Sequence, residues 1–104
     1  MITVIASYPL PAPIAPDEAE SIFLSTAPRY RDVPGLIRKY YVLSEDRRSI
    51  GGIYLWKSRA DADALYTESW KAFVRQKYAV EPSLAYFDCP VVVDNASHEI
   101  LSGS

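Results

Sequence analysis

Where most strands alternate apolar with polar, aliphatic and aromatic positions alternate in Gly51-Gly52-Ile53-Tyr54-Leu55-Trp56-Lys57-Ser58, the least ambiguous strand of the chain. Along an extended strand Ile53 and Leu55 point one way and Tyr54 and Trp56 the other, so both faces ask for cover, as in a central strand between two layers. Ile2 to Tyr8 is a second apolar, β-branched run, stopped by Pro9. Leu36 to Leu43 is a third, with Arg38, Lys39, Tyr40 and Tyr41 in its middle. The polar stretch from Ser44 to Ser49 then has hairpin length, which predicts antiparallel pairing with the Gly-Gly strand. Ser83 to Asp88 reads as the last full strand, and Pro90 to Val93 as a short extended tail.

Between these runs the period becomes helical. Asp17 and Glu18 put negative charge at a helix start behind Pro16, and Ile22, Phe23, Thr26, Ala27 and Tyr30 share one face. Pro28 predicts a kink or break, with Ser25 or Thr26 recapping a short second piece, and Pro34-Gly35 ends it. Ser58 followed by Asp61 makes a capping-box-like start for a helix that reaches Tyr66. Glu68-Ser69 marks a step in register, after which Trp70, Phe73, Val74, Lys77 and Tyr78 form a fresh face that Glu81-Pro82 closes. The order strand, helix, strand, strand, helix, strand predicts a ferredoxin-like α+β sandwich, one antiparallel sheet with both helices on one side. A single domain is expected over residues 1–95, followed by a polar, fraying tail at 96–104. The other face of the sheet, read as carrying Tyr and Trp, is left bare, and a second copy packed sheet to sheet covers it most cheaply, burying more than about 2,000 Å².

Composition narrows the partners. Net charge is −2 with the basic residues scattered, so nucleic acid is not expected. No apolar run approaches the ~18–20 residues of a membrane span, and Pro9, Pro11, Pro13 and Pro16 break the N-terminal stretch, so neither a membrane nor a signal peptide is expected. A single cysteine, Cys89, forms no internal disulfide and reads as a small buried hydrophobe, which suits a reducing cytoplasm. Phosphate loops, Ser-His-Asp sets and cysteine pairs are missing, and the lone His98 cannot anchor a zinc ion. Eight Tyr and two Trp instead supply rings with polar tips, suited to pockets and interfaces.

Pro34-Gly35-Leu36, Lys39 beside an aromatic, Ser44-Glu45, Gly51-Gly52-Ile53-Tyr54-Leu55 and Phe87-Asp88 together resemble the ydhR-type monooxygenases of the dimeric α+β barrel superfamily. The resemblance implies a homodimer whose two sheets close into a barrel, with a pocket in each subunit between sheet and helices. Some relatives oxidise polycyclic phenols without metal or flavin, the electron-rich substrate anion reducing O₂ directly. By that resemblance the substrate is a small aromatic or quinol-like molecule and no cofactor is needed. Tyr54, Trp56 and Trp70 would wall the pocket, Tyr40 or Tyr66 would hydrogen-bond the substrate oxygen, and Arg38 would stabilise its anion. Haem-degrading relatives use a histidine on the second helix and an asparagine on the first strand; Ser7 stands near the latter, and no histidine precedes His98. The same dimer and cavity also suit a non-catalytic binding module or a non-oxidative isomerase. Arg38 and Lys39 alternate across their strand, so one faces a covered side; a buried Arg38 would pair with Asp88 or Glu45 as readily as with a substrate. A one-residue slip exchanges Arg38 and Tyr40 for Lys39 and Tyr41.

Overall fold

In the computed structural model, which describes residues 1–103, four antiparallel strands form one sheet in the order β2-β3-β1-β4. They are β1 (Ile2–Pro9), β2 (Leu36–Leu43), β3 (Ser49–Trp56) and β4 (Ser83–Asp88). β1 and β3 pair over their whole length, from Ile2 opposite Trp56 to Pro9 opposite Ser49, and are the two central strands. This is the ferredoxin-like arrangement that the element order predicts.

Three helices, α1 (Pro16–Thr26), α2 (Arg59–Leu65) and α3 (Glu68–Tyr78), cover one face. α1 starts at Pro16 with Asp17 and Glu18 in its first turn, where they meet unpaired backbone N–H groups. At Pro28 it tightens into a 3-10 turn, Ala27–Tyr30. Thr26 stands at the start of that turn without capping it; its hydroxyl turns back to the Phe23 carbonyl. Ser58 caps α2, its Oγ accepting from the Asp61 N–H at 3.1 Å and donating to the Asp61 carboxylate at 2.9 Å. The helical break falls at Tyr66, because Thr67 caps α3 by accepting from the Trp70 N–H at 3.3 Å. Ala79, in the left-handed region at φ 63°, ends α3.

Tyr54 and Trp56 of β3 point to the helices and are 1% and 0% exposed. They join Val4, Ala6, Tyr66, Trp70 and Val74 in one core. Two indole N–H groups in this core are satisfied by phenols: Trp56 Nε1 donates to Tyr66 Oη and Trp70 Nε1 to Tyr30 Oη, both at 3.0 Å. The aromatic pair of the central strand is therefore covered by the chain's own helices, contrary to the expectation that it would leave an aromatic face bare. The opposite face carries Ile5, Ile53 and Val42 with the half-exposed Tyr40 and Phe87.

The expected frayed tail is instead a hairpin, β5 (Val91–Asp94) with β6 (Glu99–Ser102); Ser104 lies outside the described residues. Its turn is built by Asp94, whose Oδ1 accepts from the Ala96 and Ser97 N–H groups, and by His98 at φ 59°.

Tyr66→Phe strips the buried Trp56 indole of its acceptor. Urea unfolding should show a loss of about 1–3 kcal/mol at an unchanged m-value.

Candidate functional site

The site is set by one irregularity in β2. Pairing of β2 with β3 begins at Leu36 opposite Trp56 and resumes at Arg38 opposite Leu55, so Ile37 is an extra residue, a β-bulge. Without it Arg38 and Tyr40 would share the helix-facing side with Leu36. With it the alternation slips by one, and Lys39 opposite Tyr54 and Tyr41 opposite Gly52 face the helices instead.

Lys39 accordingly lies on the helix side, partly buried. Its Nζ sits 3.4 Å from the ring centre of Tyr30, 3.9 Å from Tyr41 and 4.6 Å from Tyr54. Among the described residues it makes no ion pair with a carboxylate. Burial pushes its ammonium down from the usual 10.5 to about 7. The double glycine explains the space: a Cβ on Gly52 would come within 2.9 Å of Lys39 Cε and 3.0 Å of Tyr54 Cε1. A Cβ on Gly51 would run into the Ala6 carbonyl oxygen of β1.

Around the Lys39 amine is a chamber of about 10 Å³, room for about one water. Tyr8, Phe23, Tyr30, Tyr41, Phe73 and Tyr78 line it. Burial pushes the Tyr41 phenol up to about 12 and raises those of Tyr8, Tyr54 and Tyr78 as well, so these hydroxyls are hydrogen-bonding groups and not anions near neutrality. Phe23 and Tyr41, stacked with ring centres 4.8 Å apart, also line an outer groove of about 360 Å³ between α1 and β2. The Tyr41 hydroxyl is 2.9 Å from Thr26 Oγ1 on α1.

The six residues expected to form the site divide by sheet face. Tyr54, Trp56, Tyr66 and Trp70 are together on the helix side, with Tyr66 packed edge-on against Tyr54 at 5.4 Å and Trp70 at 4.9 Å. They form the tightly packed layer beside the chamber. Arg38 and Tyr40 are not brought to them, because the bulge turns both to the opposite face. There Arg38 donates to Asp94 Oδ2 at 2.9 Å and to Tyr40 Oη at 3.4 Å, so its carboxylate partner is Asp94 and neither Asp88 nor Glu45. These residues border a groove of about 260 Å³ with Ile53, Leu55 and Val92. Lys39, Tyr41, Tyr30, Tyr8 and Phe23 were not among the expected site residues. Counting strand pairs back from the hairpin, Leu43 opposite Ile50, puts Lys39 opposite Tyr54; counting forward from Leu36 does not.

The family profile described as "Putative mono-oxygenase ydhR" matches residues 7–89. The chain belongs to this family. Its fold is shared with SnoaB of Streptomyces nogalater, a cofactor-independent oxygenase, at TM-score 0.61 and 22% identity over 85% of this chain and 91% of that one. It is shared also with a monooxygenase from the ActVA-Orf6 gene of Streptomyces coelicolor, solved with nanaomycin D, at TM-score 0.64 and 15% identity over 83% and 84% of the two chains. A variant of MhuD solved with two manganese protoporphyrin IX per active site matches at TM-score 0.68 and 19% identity, over 91% and 100%. No protein of curated function matches the chain. The one histidine, His98, lies in the β5–β6 turn, and no cluster of three or more His, Cys, Asp or Glu side chains that could hold a metal ion occurs among the described residues. No helix among them is long and apolar enough to cross a membrane.

Burial of Lys39 opposes folding, and the sign fixes its pH dependence. Below about pH 7 both folded and unfolded chains hold the proton and the penalty is complete; between about 7 and 10.5 only the unfolded chain holds it, and stability rises with pH. Lys39→Met should therefore be more stable than the parent at pH 7, with the gain vanishing near pH 10.5, as read by urea unfolding of both proteins across that range.

Proposed function

We propose that this member of the ydhR family is a cofactor-independent monooxygenase of small hydroquinones and polycyclic phenols. The observation that carries the reading is the tyrosine-lined chamber between sheet and helices, adjoining the outer groove between α1 and β2. A planar ring system entering between Phe23 and Tyr41 would stack on aromatic walls, and phenolic hydroxyls would meet its oxygen atoms. The packed layer of Tyr54, Trp56, Tyr66 and Trp70 would form the wall behind it. SnoaB is a cofactor-independent oxygenase and the ActVA-Orf6 protein a monooxygenase solved with nanaomycin D, and both support the reaction class.

The chemistry needs no resident redox group. A phenol that loses its hydroxyl proton becomes an electron-rich anion, which passes one electron to O₂; the radical pair joins at a ring carbon para or ortho to the oxygen that still bears hydrogen, giving a peroxide anion that takes back one proton. The O–O bond then breaks as the hydrogen on that carbon leaves as a second proton, so one atom of O₂ stays as the new carbonyl of a quinone and the other leaves as water. The protein's task is to form the anion, hold it in a dry pocket and keep O₂ beside it.

A second copy of the chain covers the outer sheet face in this reading. Ile5, Ile53, Val42, Tyr40 and Phe87 form an apolar sheet surface, and Arg38 with Tyr40 belong to that contact. Ile5→Lys places a charge at its centre and should give a monomer in sedimentation equilibrium where the parent is a dimer; an unchanged mass would remove this interface.

The activity is tested by oxygen uptake. Metal-stripped protein given 1-naphthol and other polycyclic phenols or hydroquinones should consume oxygen saturably, with boiled protein inert. If panel members bind and raise the melting temperature without oxygen loss, the protein is a ligand-binding module or a non-oxidative isomerase, distinguished by whether the ligand is depleted.

A further inference from the structure

We propose that the Lys39 amine is the base that takes the hydroxyl proton from the phenol, at the inner end of a path that opens between Phe23 and Tyr41. This deepens the reading above and rests on it for the reaction, though not for the acid–base step itself.

The geometry singles out one group. Every element packed around Lys39 presents either a phenol or an uncharged side chain: Tyr8 from β1, Tyr41 from β2, Tyr54 from β3, Tyr30 from the 3-10 turn and Tyr78 from α3. No carboxylate shares the chamber to hold the lysine as an ion pair. Four of these phenols are raised by burial while the lysine is lowered to about 7. Environment thus moves the two kinds of group in opposite directions, leaving the amine as the proton acceptor and the phenols as donors. Gly52 adds a geometric observation, because the lysine stem packs directly over it: a Cβ there would come within 2.9 Å of Lys39 Cε and make the stem shift.

In the step, the substrate O–H bond breaks and an N–H bond forms on Lys39 Nζ. The electron pair stays on the substrate oxygen. The product is a phenolate beside an ammonium, a pair that attracts strongly in an apolar chamber, with the rings of Tyr30, Tyr41 and Tyr54 stabilising the new cation. After O₂ has added, the same ammonium returns its proton to the terminal peroxide oxygen and the amine is restored; the O–O bond then breaks as the hydrogen on the attacked ring carbon leaves as the second proton of the water, and that carbon becomes a carbonyl.

Access follows from the side chains shared by chamber and groove. Phe23 and Tyr41 separate the inner chamber from the outer groove, and the link from Tyr41 Oη to Thr26 Oγ1 fastens that pair to α1. Rotation of the two rings joins the spaces and places the Lys39 amine at the far end of the groove.

The experiment compares the parent with Lys39→Met, which keeps the stem, and Lys39→Arg, which keeps the charge but does not give up its proton. At about pH 6, 4-nitrophenol should bind the parent as its yellow phenolate, bind Lys39→Arg likewise, and bind Lys39→Met only as the colourless phenol. With 1-naphthol, kcat/KM of the parent should rise with pH and level off above an inflection near 7; both variants should lose the inflection and fall by about 100-fold or more. Phenolate bound by the parent and not by Lys39→Met, with no oxygen consumed by any protein, leaves the acid–base assignment standing and removes the oxygenase. Undiminished oxygen uptake with the same inflection in Lys39→Met overturns the assignment while leaving the oxygenase, and so does nitrophenol bound to the parent as the neutral phenol.

Discussion

A single extra residue in an outer strand decides what this protein can do, because a β-strand has only two faces and an insertion exchanges them. The bulge at Ile37 leaves Leu36 packed near Trp56 and the hairpin end of β2 in register with β3. It turns over everything after it. A guanidinium that would need a buried carboxylate goes outward to Asp94, and an amine that tolerates losing its charge goes inward. The reverse placement would bury a group that stays protonated at any physiological pH. Lys39 and Tyr41 reach the chamber, and Tyr40 and Val42 the outer apolar face, through that exchange.

How much of this could be read from the chain depended on the period of the signal. The four sheet strands and the helices were legible because alternation and helical spacing repeat over several residues, and Pro9, Pro28, Pro34 and Pro82 punctuate them. Membership of the aromatic layer was legible too, since Tyr54 and Trp56 share a face of the least ambiguous strand, although which layer covered that face was not. The assignment of Arg38 and Tyr40 was not legible from β2 alone, for a bulge leaves no mark in composition. The β5–β6 hairpin escaped for a related reason: its turn relies on Asp94 bonding its own backbone and on His98 adopting a left-handed φ, features that short polar segments do not advertise.

Lys39 and its tyrosines show stability set against chemistry. Methionine in the same space would keep the stem packing and shed the desolvation penalty, so folding alone gives no reason for an amine there. Gly52 points the same way, for it gives up strand propensity at the centre of a sheet to make room for that stem. The rings soften the penalty without removing it, which is what leaves the amine poised between its two protonation states.

The small size of the chamber bears on timing as much as on shape. In the proposed reaction a ring-sized molecule would have no place beside Lys39 until Phe23 and Tyr41 separated, so capture would wait on the fraction of time that the stack stood open. Intrinsic affinity would then be scaled down by that fraction. Once the stack reclosed, escape would be slowed by the same motion. A reactive anion formed behind it would be held through the lifetime of its radical and peroxide successors, and the commitment to product would be decided by the rings rather than by the tightness of any one contact.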